Sequence, residues 1–479
     1  MQFNRFKDDD LSQYSYAVGC PGAGSVAIVD PRRDIDVYLD FAHREGLSIE
    51  HVFETHIHAD FASGARELAA RTGATLHVSA YDAGETFEVG HPHQDLQHGD
   101  RVTLGAVRIE AVHTPGHTPE HLSFLVYDEA RSADVPMLFL TGDFLFVGSL
   151  GRPDLLGDDA KRALARQLYT SVHNVLGVLP DGLEIHPGHG AGSMCGAGMS
   201  GRPTSTLGYE RRTNPYLDPA LSEGEFVDRI LGSVPPFPPY YRRMKRLNSE
   251  GPNLLYDAET LDLAPGRLAV DADRARALAE DGEHVVIDVR EMLAFGGGHI
   301  PGAFGIGAGK NLSTWASWVV PYDRPILLVL DHPNQLGDSV RRLVRVGLDQ
   351  IVGHLDGGMR SWRERGLPLA HVLQVEPPEL AHRLDGGGEI TVLDVRTADE
   401  YASGHIDGAR LEMAGFLPER VETLRHEISG DRPIAIVCGS GYRSTVAAGV
   451  LRRAGFDEVW NMPGGMNAWR SHDLPVVTG

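Results

Sequence analysis

His56-Ile57-His58-Ala59-Asp60-Phe61 follows an apolar run expected to be a strand at 51–54 and precedes a helical pattern at 62–72. A turn after a strand is where the backbone can aim two imidazoles and a carboxylate into one pocket. Taken alone, His56 and His58 read equally well as two solvated loop histidines. Three further stations change that reading. His117 ends Thr114-Pro115-Gly116-His117 after a strand expected at 107–113. Asp143 ends Thr141-Gly142-Asp143 after 137–141, and His189 sits in Pro187-Gly188-His189-Gly190 after 183–186. Imidazoles and carboxylates gathered at four strand ends, in this order, are the donors of a metal site.

The ordered series resembles the metallo-β-lactamase superfamily, whose first station normally reads His-x-His-x-Asp-His. Here Phe61 holds the sixth place. In the two-metal hydrolases of that superfamily the histidine there helps hold the second metal, and phenylalanine coordinates nothing. The resemblance thus implies a good single-metal site and a weakened second one. Two histidines and a carboxylate opposite open positions define the facial triad of non-haem iron oxygenases; zinc hydrolases also leave a position open for water. Within the superfamily the chain looks like the persulfide (sulfur) dioxygenases. Carried over from them, His56, His117 and Asp143 hold one Fe(II) per chain, with zinc as the alternative. His58, Asp60 and His189 then orient the ligands or bound water. The best-known single-domain members keep a histidine where this chain has Phe61. Gly148-Ser149-Leu150-Gly151-Arg152-Pro153-Asp154-Leu155 also looks like this group, and Arg152 is its candidate contact for an anionic substrate.

An internal repeat fills the C-terminal part. Val285-Val286-Ile287-Asp288-Val289-Arg290 matches Thr391-Val392-Leu393-Asp394-Val395-Arg396, and Gly298-His299-Ile300 matches Gly404-His405-Ile406. Both are spaced by 106 residues, from 288 to 394 and from 299 to 405. Gly357-Gly358-Met359-Arg360-Ser361-Trp362 then matches Gly464-Gly465-Met466-Asn467-Ala468-Trp469. Strands are expected at 285–289, 326–330 and 350–355, and again at 391–395, 434–437 and 458–462. Short strands alternating with helices predict a parallel sheet, and the pattern resembles the rhodanese family across each copy.

Cys438 ends a strand and opens the loop Cys438-Gly439-Ser440-Gly441-Tyr442-Arg443 before a helix. Glycines let backbone N–H groups turn inward as an anion nest, the helix N-terminus adds positive potential, and Arg443 adds a formal charge. Together these favour a thiolate or persulfide on Cys438, and the loop resembles the one on which rhodaneses carry sulfane sulfur. In the first copy Asp331 is expected at the cysteine's place, so that copy is read as an inactive spacer, docking surface or oligomer contact. Cys195, six residues after His189 in a glycine-rich loop expected to be mobile, is a candidate to receive or pass a persulfide. Tyr209-Glu210-Arg211-Arg212 is a candidate cationic contact for a thiol carrier.

With 479 residues the chain exceeds one core. Its formal net charge of −22 argues against nucleic acid or an anionic membrane as partner. No apolar run is long enough to span a bilayer, and the first residues lack the apolar core of a secretory signal. Three separated cysteines exclude a disulfide framework and suggest a reducing compartment, the cytoplasm. The expected fold class is multidomain α/β. An αβ/βα metallo-β-lactamase sandwich at 1–245 precedes a linker at 246–265, a rhodanese-like domain lacking its cysteine at 266–371 and one bearing Cys438 at 372–479.

The resemblance implies oxidation of a low-molecular-weight thiol persulfide, of glutathione or coenzyme A type, by oxygen to sulfite or thiosulfate, in a homo-oligomer. The competing readings are a zinc thioester hydrolase of glyoxalase II type and a sulfide-responsive protein whose rhodanese domains dock partners.

Overall fold

In the strand Leu122–Asp128, Phe124 and Val126 join a core with Val29 and Phe53, while Leu125 and Tyr127 join another with Leu168 and Ile185. A strand apolar on both faces belongs inside a layered fold. The computed structural model describes residues 1–257, 263–428 and 432–479. These fall into two units, one of Met1–Leu263 with Val344–Gly347 and one of Ala264–Leu343 with Leu348–Gly479.

The first unit stacks two six-stranded sheets. One contains β1 (Gln2–Lys7), β2 (Tyr14–Cys20), β3 (Ser25–Val29), β4 (Ser48–Phe53), β5 (Thr75–Ser79) and β6 (Gln94–Leu96), in that order. The other contains β7 (Arg101–Leu104), β8 (Val107–His113), β9 (Leu122–Asp128), β10 (Leu138–Gly142), β13 (Glu184–Pro187) and β14 (Ser205–Thr206), in the order β14-β13-β10-β9-β8-β7. A small ribbon, β11 (Leu145–Phe146) and β12 (Ser149–Leu150), comes after β10. The inner core lies between the sheets. Helices α1 (Asp36–Glu45) and α2 (Ala65–Thr72) cover the first sheet, through Tyr38, Phe41 and Leu68. Helices α3 (Asp158–Ser171) and α5 (Glu223–Ser233), separated by α4 (Leu207–Thr213), cover the second. This is the expected αβ/βα sandwich. Gly73 closes α2 in the left-handed conformation at φ 75°, where a side chain would be strained.

Helix α6 (Tyr241–Glu250) takes in 246–250, which the sequence suggests as the start of a linker. Its buried residues, Tyr241, Met244, Lys245, Asn248 and Ser249, recur at helical spacing. Three of the five are polar, so the stripe reads as solvated until their partners are known. Residues 258–262 of the expected linker lie outside the described residues.

The second unit holds two parallel five-stranded sheets built alike. The first runs β15-β19-β18-β16-β17, from β15 (Ala269–Val270), β16 (Val285–Asp288), β17 (Phe304–Gly305), β18 (Ile326–Val329) and β19 (Ile351–Leu355). The second runs β20-β24-β23-β21-β22, from β20 (Leu373–Gln374), β21 (Thr391–Asp394), β22 (Arg410–Leu411), β23 (Ile434–Val437) and β24 (Val459–Asn461). Register corrects one expectation. Asp288 pairs with Val329 as Asp394 pairs with Val437. Leu330, not Asp331, therefore occupies the place of Cys438, because β18 ends one residue earlier than the apolar run suggests.

Candidate functional site

β4, β8, β10 and β13 deliver His56, His117, Asp143 and His189 from their carboxyl ends to one rim of the sandwich. Donor atoms of His56, His117 and Asp143 all lie within 4.8 Å of one another, and all three residues are buried. Nδ1 of His56 meets Thr55 Oγ1 at 2.9 Å, and Nδ1 of His117 meets the Arg152 carbonyl at 2.9 Å. Each ring thus keeps its other nitrogen for a ligand role. Burial pushes both imidazoles well below their ordinary range, so they are neutral, as metal coordination requires. Oδ2 of Asp143 is buried without a hydrogen-bond partner, 3.4 Å from His117 Nε2. An orphaned carboxylate oxygen beside two neutral imidazoles fits a divalent cation, since leaving it unpaired is costly. Glycine is needed here for close approach: a Cβ on Gly151 would lie 1.9 Å from the Asp143 carbonyl, and one on Gly188 2.6 Å from Asp143 Oδ1.

The other sequence-predicted residues separate into two groups. His189 bridges two carboxylates, with Nδ1 2.7 Å from Asp143 Oδ1 and Nε2 2.7 Å from Asp60 Oδ2. Burial works against its protonation, but Asp143, Cys195 and Asp60 outweigh burial and hold the imidazole well above its ordinary range. His58 turns the other way. Its Nε2 lies 3.2 Å from Asp30 Oδ1 and 3.4 Å from Glu54 Oε2, and its ring packs on Phe61 at 4.3 Å. Those carboxylates raise His58 against the pull of burial. The phenylalanine ring therefore fills the sixth position and backs His58 in its turned-away pose.

Three expected roles meet different surroundings. Arg152 is 1% exposed, and its guanidinium is spent on Asp154 at 2.6 and 2.8 Å and on the Met194 and Pro235 carbonyls at 2.9 Å. It clamps loops around His117 and has no donor aimed at a substrate. Cys195, expected on a mobile loop, is 1% exposed, and burial with Asp60 pushes its thiol up to about 12. A thiol so held is a poor nucleophile. Glu210 and Arg211 belong to the fold, Glu210 accepting from the Gly148 N–H at 2.8 Å and Arg211 donating to the Leu179 carbonyl at 2.7 Å.

Sequence reading missed the groups that hold the metal loop. Lys245 Nζ donates to the Ile57 carbonyl at 2.9 Å, and Asn248 Nδ2 to the His58 and Phe61 carbonyls at 2.8 Å. Glu120 accepts the Ile57 N–H at 3.1 Å. His121 was also missed. Its Nε2 accepts the Asp143 N–H at 3.0 Å, which spends that nitrogen, and Nδ1 meets Thr114 Oγ1 at 2.8 Å. The signal was present in Gly116-His117-Thr118-Pro119-Glu120-His121, where a second histidine and an acid come after the first.

In the second unit Cys438 directly succeeds β23 and is 1% exposed. Its sulfur accepts the Gly441 N–H at 3.1 Å and lies 3.5 Å from Ser444 Oγ. Gly441 adopts φ 100°, a conformation only glycine takes easily. It starts the twelve-residue helix Tyr442–Arg453, whose positive end faces the sulfur. Tyr442 Oη reaches the Gly307 carbonyl of the first copy at 2.8 Å. Arg443 is bound by both nitrogens to Glu400 at 2.6 Å. Its charge is thus balanced locally, which weakens its expected support of a thiolate.

Residues 8–189 match the family described as metallo-beta-lactamase superfamily, and 271–365 and 376–472 each match the rhodanese-like domain. A solved metallo-beta-lactamase from Staphylococcus aureus is 37% identical, covers 74% of this chain and 98% of its own, and gives a TM-score of 0.64. The persulfide dioxygenase ETHE1 of Mus musculus is 28% identical over 45% of this chain and 74% of its own. A hydroxyacylglutathione hydrolase of Rhodospirillum rubrum is 30% identical over 46% of this chain and 89% of its own. The chain spans about half the length, 53%, of the Agrobacterium fabrum beta-lactamase hydrolase-like protein, matched at 29% identity over 46% of this chain. The chain belongs to the metallo-β-lactamase superfamily and carries two rhodanese-like domains after its metallo-β-lactamase domain.

Proposed function

We propose that the chain is a non-haem iron persulfide dioxygenase coupled to a sulfurtransferase. One observation carries the reading. A buried His56–His117–Asp143 set, with Phe61 at the sixth position, shares a chain with a cysteine in a glycine loop on a rhodanese-like domain. Iron(II) at His56, His117 and Asp143 would supply the activation of dioxygen toward sulfane sulfur. The overall reaction takes a thiol persulfide, dioxygen and water to the thiol, sulfite and two protons.

The surrounding residues have separate tasks. Thr55 and the Arg152 carbonyl fix the two imidazoles so that neither swings. His189, held as an imidazolium between Asp60 and Asp143, locks the aspartate's orientation and offsets its charge. Burial of all these groups excludes bulk water and strengthens each polar contact. A small cavity of about 30 Å³ touches His56, walled by Glu54, Ser63, Val78, Ser79 and Glu120.

Cys438 serves the second half of the reaction. The Gly441 N–H and the helix N-terminus stabilise anionic sulfur there. The Cys438 persulfide gives its outer sulfur to sulfite, forming thiosulfate and returning the thiolate. The glyoxalase II reading shares the scaffold, but Phe61 removes a nitrogen its two-metal chemistry uses, and Cys438 has no part in it.

Oxygen uptake tests the choice. Iron-loaded protein given glutathione persulfide or coenzyme A persulfide should consume oxygen and release sulfite, with little hydrolysis of thioesters. Thioester cleavage without oxygen uptake would overturn the reading.

A further inference from the structure

The second rhodanese-like copy does not build its sulfur site alone. In helix Tyr442–Arg453, which starts at the Cys438 loop, every residue from Ser444 to Leu451 is buried. A surface helix leaves one face to solvent, whereas this one is enclosed all round. Part of the enclosure comes from the first copy. A Cβ on Gly449 would lie 3.1 Å from Gly305 N and 3.3 Å from Phe304 Cα, so glycine lets the helix rest on β17. Arg453 donates to the Gly302 carbonyl at 3.1 Å and lies over the Phe304 ring at 5.2 Å. Trp318 meets Phe416 at 5.4 Å across the same seam.

The first copy also touches the loop itself. Tyr442 donates its hydroxyl to the Gly307 carbonyl at 2.8 Å. Met292 covers Gly441, since a Cβ there would lie 3.2 Å from Met292 Sδ and 3.3 Å from Gly464 N. Gly441 is thus held between the two copies at φ 100°, with its N–H on the Cys438 sulfur at 3.1 Å. The repeat accounts for the arrangement. Met292 opens the helix Met292–Gly296, and Ala398, 106 residues on, opens Ala398–Ala402, the helix that sends Glu400 to Arg443. Equivalent helices of the two copies therefore reach Gly441 and Arg443 of one loop.

We propose that the first copy is a working part of the Cys438 site: the Gly307 carbonyl and the Met292 thioether hold Tyr442 and Gly441 so that the Gly441 N–H stays on the sulfur. Met292 and Tyr442 are positioning residues, and neither needs to touch the sulfur being transferred. Glycines give the loop wide backbone freedom, and an anion nest works only while its N–H groups stay turned inward. Contacts from the first copy remove that freedom before sulfur arrives. The copy that has Leu330 at the nucleophile's place thereby has a task that needs no nucleophile. The inference rests on the sulfurtransferase half of the proposed function and on nothing at the metal site.

The test uses full-length protein and three readouts. These are the rate of Cys438 alkylation by iodoacetamide at neutral pH, located by mass spectrometry, the rate of sulfur transfer from thiosulfate to cyanide, and hydrogen exchange in β21 and β23. Tyr442→Phe deletes only the hydroxyl, and Met292→Ala only the thioether arm. Each should slow both alkylation and transfer by about two- to tenfold, the range of one net hydrogen bond, with exchange in β21 and β23 unchanged. Met292→Leu, which refills the space, should recover most of the rate. Rates equal to wild type in either Tyr442→Phe or Met292→Ala would overturn the proposal. Slowing accompanied by faster exchange in β21 and β23 would also overturn it, by making the first copy a support of the fold alone. A wild type that is alkylated at Cys438 yet transfers no sulfur would instead remove the sulfurtransferase reading, and alkylation would still report on the loop.

Discussion

The two rhodanese-like copies share a skeleton and differ in one loop. In the first, Arg290 grips Asp288 at 2.6 Å and the Gly298 carbonyl at 2.9 Å. In the second, Arg396 grips Asp394 at 2.6 Å and the Gly404 carbonyl at 2.9 Å. Trp362 donates to the Pro368 carbonyl at 2.8 Å and Trp469 to that of Pro475 at 2.9 Å. His299 and His405 each stack on an aromatic ring four residues earlier, at 3.8 and 3.5 Å. The signatures that reveal the repeat therefore hold the fold together. The difference lies in the loops at the carboxyl ends of β18 and β23. There Cys438 meets a glycine loop and helix N-terminus, whereas Leu330 leads into a turn at Pro333–Gln335. The skeleton does not depend on the loop, so one copy keeps the shared fold with Leu330 at the place of Cys438.

That contrast breaks most visibly at the nucleophile. Cys438→Ser should abolish sulfur transfer from thiosulfate to cyanide or to a thiol, while persulfide-dependent oxygen uptake largely remains. Transfer surviving in this variant would remove Cys438 from the reaction. Next come the shared ion pairs. Asp288→Asn and Asp394→Asn each leave a buried arginine uncompensated, a loss of about 3–5 kcal/mol. Hydrogen exchange in β16 or β21 should quicken in the corresponding copy, to a similar degree in both. Faster exchange in only one copy would deny the skeletons equal standing.

A smaller effect concerns Glu400. Its hydrogen bonds to Arg443, against the pull of burial, bring its carboxyl down to about 2. The unfolded value is about 4.3. A depressed carboxyl stabilises the fold above the unfolded value and loses that contribution as pH falls through the folded one. The gap in thermal midpoint between wild type and Glu400→Gln should thus be modest and full at neutral pH, and should close between about pH 4.3 and 2. A gap that does not narrow would show the pair to be absent in solution. The least change is expected from Leu330→Cys in the Cys438→Ser background. A thiol at the matching backbone position, without the Gly441 N–H and helix N-terminus, should recover no measurable transfer.

Legibility tracks how local each feature is. The strands 107–113 and 434–437 are readable to the residue, since apolar patterning marks them directly. β1, β6 and the two-residue strands β15, β17, β20 and β22 are not, because edge strands and short bridges carry little pattern of their own. The donors His56, His117 and Asp143 are visible as motifs, and the structure brings them together. Their supports are not visible. Lys245 and Asn248 lie nearly two hundred residues from the loop they hold, at |i−j| of 188 and 190 for their contacts to Ile57 and His58. Arg152 reads as a free cation until its partners Asp154, Met194 and Pro235 are seen. The one-residue error at Asp331 arises because an apolar Leu330 extends the look of a strand beyond its last paired residue.

The iron content of anaerobically purified full-length protein, measured with and without His117→Ala, tests the central claim most directly. A dioxygenase built on His56, His117 and Asp143 should carry close to one iron per chain, lose it in His117→Ala and in Asp143→Ala, and keep more of it in His189→Ala. Iron that is absent from the wild type, or that persists undiminished in His117→Ala, would contradict the assignment.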